Sequence, residues 1–399
     1  MFRRSRSSVI GLLAVAAFVG SGLDPGPALG QEQAELASRL VNSSANVEPG
    51  DHVVIAGGKH TLDLMEQIAI EAQKAGGMVD MMLTSDEVLR SYWTDVSDEY
   101  IQQVPTHWEA WLNEVDVWIG LPGIEDPAAT FGDVSEEKFA LASESNQFFN
   151  DKLNATRLRG LGLTYPTEAV AKQNGLDFET YSSMQWAAIR ADYDAISAKG
   201  KDLAAKLKGA REIRVTSPAG TDLRFSHADR PVFLEDGIVT PEEAESELFL
   251  ERWASLPGGQ VFTSVDEGSA SGTVVVPNHR CRFEPMTGIR FAVEDGYIRD
   301  FQAEENGTCF EEVMAPYDEA ASRMGYLTIG LNPELNVMEE GEADYRPGEA
   351  AGMVSLRFGD NQLVGGQNMT TGGYGFPVVN ATVTVDGTDV VKDGALVDD

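Results

Sequence analysis

The sequence predicts an α/β protein in two parts: a doubly wound N-terminal α/β domain over residues 31–208, and a C-terminal α+β domain with a largely antiparallel sheet over residues 209–399. Three observations carry this expectation. Up to Lys208, short apolar runs alternate with helix-length amphipathic stretches, the pattern of strands joined by crossover helices in a parallel sheet. From Glu212 onward, short strands of alternating polarity are separated by glycine turns, which reads as antiparallel pairing. A chain of 399 residues also fits two domains of ordinary size.

Along the first part, Ala34 to Asn46 reads as a helix stopped by Pro49-Gly50, and His52 to Gly57 as a buried strand entering a glycine turn. A helix is expected from Thr61 to Ala75, ended by Gly76-Gly77, then a strand from Met78 to Leu83. A helical stretch from Asp98 to Glu114 leads to a strand from Val115 to Leu121, closed by Pro122-Gly123. In the second part, Ile213–Val215, Asp222–Phe225, Gly272–Val276, Ile289–Val293 and Tyr297–Phe301 alternate as strands, with Glu294-Asp295-Gly296 as a hairpin turn. Phe310 to Met324 reads as a helix. The run from Leu234 to Glu251, rich in Asp and Glu, reads as a solvated acidic face.

Composition limits the partners. A hydrophobic fraction of 42% is globular rather than disordered, and 64 acidic against 30 basic residues give a net charge of −34. Such a polyanion repels phosphate backbones and anionic lipid, because nucleic-acid binding draws on Lys and Arg. No nucleic acid and no membrane is expected as partner of the mature form; small molecules, peptides and a second copy in a homodimer remain. Arg3, Arg4 and Arg6 precede an apolar run from Val9 to Val19, and Ala28-Leu29-Gly30 supplies small residues for cleavage. Residues 1–30 therefore read as an export signal, too short in its apolar part to span a bilayer, and the address expected is a bacterial periplasm. In an oxidising compartment, Cys281 and Cys309 are expected to form a disulfide. The alternative, a metal site using His279 with both thiols, lacks a fourth ligand.

Two common site types are not supported. Ala56-Gly57-Gly58-Lys59-His60 has neither the third glycine of a dinucleotide fingerprint nor the spacing of a P-loop; a turn that packs a helix on its strand explains it, with His60 structural. Gly268-Ser269-Ala270-Ser271-Gly272 is not a Gly-x-Ser-x-Gly elbow.

Several phrases, in order, carry a family resemblance: Tyr165-Pro166-Thr167-Glu168-Ala169, Pro218-Ala219-Gly220-Thr221-Asp222-Leu223, Leu256-Pro257-Gly258-Gly259-Gln260-Val261-Phe262-Thr263, Gly272-Thr273-Val274, Ile329-Gly330-Leu331-Asn332-Pro333 and Val385-Asp386-Gly387. The chain resembles the aminopeptidase T and aminopeptidase S family, two-domain exopeptidases that use two divalent metal ions. The resemblance implies metal ligands at five positions and a catalytic tyrosine. At those positions this chain has Gln260 for Glu, Tyr326 for Glu, Ser355 for His, Gln362 for the tyrosine, and Gly373-Tyr374-Gly375 for His-x-Asp. Neutral groups there cannot supply the charge that holds dications and acidifies their water.

The expectation is therefore an exported protein of this fold with a dismantled metal site and no cofactor. Gln260, Tyr326, Ser355, Gln362, Gly373, Tyr374 and Gly375 would line a cleft that binds a polar small molecule or peptide or supports metal-independent chemistry. One alternative is an active metallo-aminopeptidase or other hydrolase whose site has moved to Asp266, Glu267, Glu284 and Glu304 with His227 or His279. Another is a ferrous ring-cleaving dioxygenase of similar architecture, which would need two His and one carboxylate.

Overall fold

The computed structural model describes residues 27–398 apart from 228 and 342, so most of the expected export signal lies outside the described residues. The first part is a five-stranded parallel sheet with helices packed on it, as the alternating pattern predicts. His52–Gly58, next to the edge, pairs with the edge strand Met78–Thr84 on one side and with the central strand Val117–Gly120 on the other, followed by Arg159–Leu163. The fifth strand, Trp253–Leu256, arrives from beyond residue 208 and pairs in parallel with Arg159–Leu163. The chain thus crosses back and ties the two halves of the sequence together.

Two antiparallel sheets make up the rest. One has eight strands, with the long hairpin Ser271–Cys281 and Glu284–Glu294 near one edge. The other has five strands, in the spatial order Gly373–Val378, Val354–Gly359, Met324–Gly330, Gln260–Ser264, Val232–Glu235. Its side chains alternate between two faces. One face buries Val261, Leu327, Ile329, Val354, Leu356 and Phe376, each at most 1% exposed, in the main core. The opposite face carries the residues of interest.

Two expected helices are broken by proline. The stretch Asp98 to Glu114 is two short helices, Asp98–Ile101 and His107–Leu112, separated around Pro105. The stretch Phe310 to Met324 is a helix Gly307–Met314 that ends before Pro316. In both, the pyrrolidine ring has no N–H to donate and would clash with the carbonyl four residues back, so the helix cannot run through it. The strand Met78–Thr84 forms as expected but is an edge, with Met78, Met81 and Leu83 exposed. Cys281 and Cys309 lie at bonding distance, with 2.03 Å between sulfurs. Among the described residues no helix is long and apolar enough to cross a membrane.

Candidate functional site

The polar face of the five-stranded sheet forms the floor of a cleft of about 600 Å³. Four of the five strands contribute residues two apart, which the pleat turns to the same side: Gln260 and Phe262, Tyr326 and Thr328, Ser355 and Arg357, Gly375 and Pro377. The register aligns them in rows. Phe262 stands opposite Thr328, Thr328 opposite Ser355, and Ser355 opposite Pro377. In the next row Tyr326 stands opposite Arg357, and Arg357 opposite Gly375. A bulge between Met324 and Tyr326 sets this row: the extra residue, Gly325, keeps Met324 in the core while Tyr326 turns to the cleft. The walls come from Trp253 and Ser255 of the parallel sheet, from His279 and Arg280, and from the segments around 344–349 and 360–364.

Of the expected cleft residues, the structure brings together Gln260, Tyr326, Ser355 and Gly375. Three others lie elsewhere. Gln362 sits in a short helical turn with its side chain exposed, because the 3-10 turn Gln362–Val364 directs Leu363 and Val364 to the cleft instead. Gly373 is exposed at the strand end. The Tyr374 ring packs against Phe310 and Phe376, and its hydroxyl donates to the Arg280 carbonyl at 2.8 Å. As the neighbour of Gly375 in a pleated strand, Tyr374 points away from the cleft.

The lining also includes charged residues that no motif points to, among them Glu235, Glu349 and Arg357. Glu235 ends the edge strand of the floor, where its carboxyl accepts from the backbone N–H groups of Ser255 (2.8 Å), Gly237 (3.0 Å) and Gly259 (3.2 Å). Burial nevertheless outweighs these bonds and pushes its pKa from 4.5 up to about 8. The expected reading of residues 234–251 as a solvated face therefore fails at Glu235, which the sheet draws inward. Glu349, raised in the same direction by burial, accepts from the Gln260 side-chain amide at 2.9 Å. His279 is pushed down to about 4 by burial, so its ring is neutral at physiological pH.

The cleft's arginines are placed unequally. Arg280 pairs with Asp344 at 2.9 Å, and Arg346 pairs with Glu339 at 2.7 Å and with Asp344. Arg357 has no carboxylate partner among the described residues; its guanidinium lies 5.9 Å from the centre of the Tyr326 ring.

This donor set does not fit two divalent ions. A carboxamide, a phenol, a hydroxyl and a missing side chain stand at Gln260, Tyr326, Ser355 and Gly375, and a guanidinium occupies the space beside them. A Cβ added at Gly375 would overlap Arg357 Nη1 and stand 2.8 Å from its Cδ. Nor do the residues of the relocated site converge. Glu267 is held by Arg230 at 2.6 Å, Asn361 at 3.0 Å and the Gln367 backbone at 2.7 Å. Glu284 and Glu304 are exposed, and His227 is fully buried. Among the described residues no group of three or more His, Cys, Asp or Glu could hold a metal ion, and the two His and one carboxylate of a ferrous site are not assembled in the cleft.

The family described as thermophilic metalloprotease (M29) matches residues 30–337. The chain belongs to the M29 family. This agrees with the resemblance carried by its motifs, and the matched span stops before Ser355, Arg357 and Gly375. In structure, this M29 chain is similar to wild-type AmpT from Thermus thermophilus, with a TM-score of 0.69 and 15% identity over 93% of this chain and 100% of that one. It is also similar to the 2,5-dihydroxypyridine dioxygenase of Pseudomonas putida, with a TM-score of 0.58 and 17% identity over 92% of this chain and 98% of that one. In sequence, it is 27% identical over 213 residues to the 2,5-dihydroxypyridine 5,6-dioxygenase of Pseudomonas putida, covering 48% of this chain and 55% of that protein. The chain thus spans about half the length of this curated relative. The structural likenesses show a shared fold.

Proposed function

We propose that this M29 protein is exported to a bacterial periplasm and works without divalent metal, binding a polar small molecule or a peptide in the cleft floored by Gln260, Tyr326 and Ser355. One observation carries the reading: four of the family's five ligand positions, at Gln260, Tyr326, Ser355 and Gly375, gather in a single cleft, yet they present no charged group and surround the Arg357 cation. A cation fixed there opposes a dication electrostatically, and the neutral groups can bond a polar ligand directly. The test is turnover of leucyl anilide with cobalt or zinc added and then removed by EDTA. No metal-stimulated release of anilide is expected; stimulated, EDTA-sensitive release would overturn the reading.

The arginine-led N-terminus and the paired Cys281 and Cys309 support the export part. The disulfide closes a loop with a sequence separation of 28, so replacing both cysteines by serine is expected to lower stability by about 3 kcal/mol. Urea unfolding of the protein purified from the periplasm checks this. An unchanged midpoint in the double variant would mean that the bond contributes nothing.

A further inference from the structure

We propose that Arg357 is the anchor for a carboxylate, and that the cleft takes a monocarboxylate joined to an apolar body, either a small organic acid or the C-terminus of a short peptide. The inference rests on the reading of the cleft as a metal-independent binding site and names the ligand's chemical class.

Four features converge on it. First, Arg357 stands in the middle of the row Tyr326–Arg357–Gly375, so its side chain leaves the sheet on the cleft side between those two positions. Second, the two positions beside it are among those where the family would have carboxylate ligands. At Gly375 the absent side chain makes room for the guanidinium, and at Tyr326 a ring lies under it. Any side chain at Gly375 would displace Arg357, so the glycine and the arginine belong together. Third, Arg280 and Arg346 are already neutralised by Asp344 and Glu339, whereas Arg357 has no anionic partner among the described residues. In a chain of net charge −34, a cation in this cleft without a carboxylate partner among the described residues is an unfilled half of an ion pair. Fourth, the cleft has an apolar side, made by Leu250, Trp253, Phe262, Leu363 and Val364, which would cover the ligand's body.

The charge count favours a monoanion. A planar guanidinium offers two parallel N–H groups to the two oxygens of a carboxylate. A phosphate dianion would leave charge uncompensated beside Asp360 and Glu349, which line the same cleft. Stacking on Tyr326 holds the fork in place, and a cation resting on an aromatic ring keeps its edge N–H groups free for a ligand.

Calorimetric titration with matched pairs tests this. The probes are N-benzoylglycine and its amide, leucylphenylalanine and its C-terminal amide, and inorganic phosphate. In the wild-type protein at least one carboxylate should bind roughly tenfold or more tightly than its own amide, the scale of a charge-assisted bidentate pair, and phosphate should not compete. Preference for benzoylglycine or for the dipeptide tells a small acid from a peptide terminus. Arg357→Gln should abolish the preference for carboxylate over amide, and Arg357→Lys should keep part of it. Because the side chain is exposed, both variants should keep the wild-type melting temperature. Equal binding of acid and amide, or a preference that survives Arg357→Gln, would overturn the anchor while leaving a ligand-binding cleft in place. Binding of no carboxylate would remove the ligand class, with the metal-free reading still judged by the anilide assay.

Discussion

Replacing Glu235 by Gln is expected to remove a pH-dependent loss on the order of 5 kcal/mol in stability between about pH 4.5 and pH 8. The sign follows from the direction of the shift. Burial raises the folded carboxyl from 4.5 to about 8, so within that window the folded state holds a proton that the unfolded state has released. Stability from this group is fully present below the unfolded value and falls as the pH rises to the folded one. Above about pH 8 the buried carboxylate is ionised in both states, and the loss levels off. Glutamine cannot ionise, although its amide matches the Gly259 N–H poorly, so the variant starts somewhat less stable at acid pH and changes less with pH. Glu349, raised in the same direction, remains in the variant and leaves it a residual slope. Urea unfolding at pH 5 and pH 8.5 measures the effect. The gap between wild type and variant should move by several kcal/mol between the two; a constant gap would mean that Glu235 is ionised throughout.

Phe376→Ala is expected to cost about 3–5 kcal/mol, the range for deleting a buried aromatic side chain. Phe376 is 0% exposed, and its ring meets Phe291 at 4.7 Å, Tyr374 at 5.1 Å, Phe358 at 5.8 Å and Phe310 at 5.9 Å between centroids. It also sits between Gly375 and Pro377, so the cavity left by its removal lies directly behind the cleft floor. Carboxylate affinity is expected to weaken with stability. Gln362→Ala, on an exposed turn, is the control and should stay within about 0.5 kcal/mol. A loss below about 1 kcal/mol for Phe376→Ala would show that the aromatic cluster is loosely packed.

Much of this architecture was legible in the sequence because it depends on local periodicity. The parallel strands at His52, Met78 and Val117 and the antiparallel strands at Ile213, Asp222 and Tyr297 lie within a few residues of where alternation and glycine turns put them. The breaks at Pro105 and Pro316 were readable by the same chemistry but are masked by apolar residues on either side. The site was legible only in part. Gln260, Tyr326 and Ser355 could be placed by motif, and Arg357 could have been found from Ser355 by the two-residue strand period. Glu235 could not, because nothing local separates it from the other acids of 234–251. What buries it are backbone N–H groups from residues 237, 255 and 259, brought together by the crossing strand Trp253–Leu256. Tyr374 was misplaced for a complementary reason: a motif match aligns positions, whereas the pleat decides that Gly375 faces the cleft and its neighbour faces the core.

The most direct test of the account is the metal content of the protein itself, purified without chelator and measured by elemental analysis per mole of chain. Far less than one equivalent of zinc, cobalt, manganese or iron is expected, unchanged after dialysis against zinc or cobalt followed by metal-free buffer. Two tightly held equivalents per chain, removed by EDTA, would contradict it.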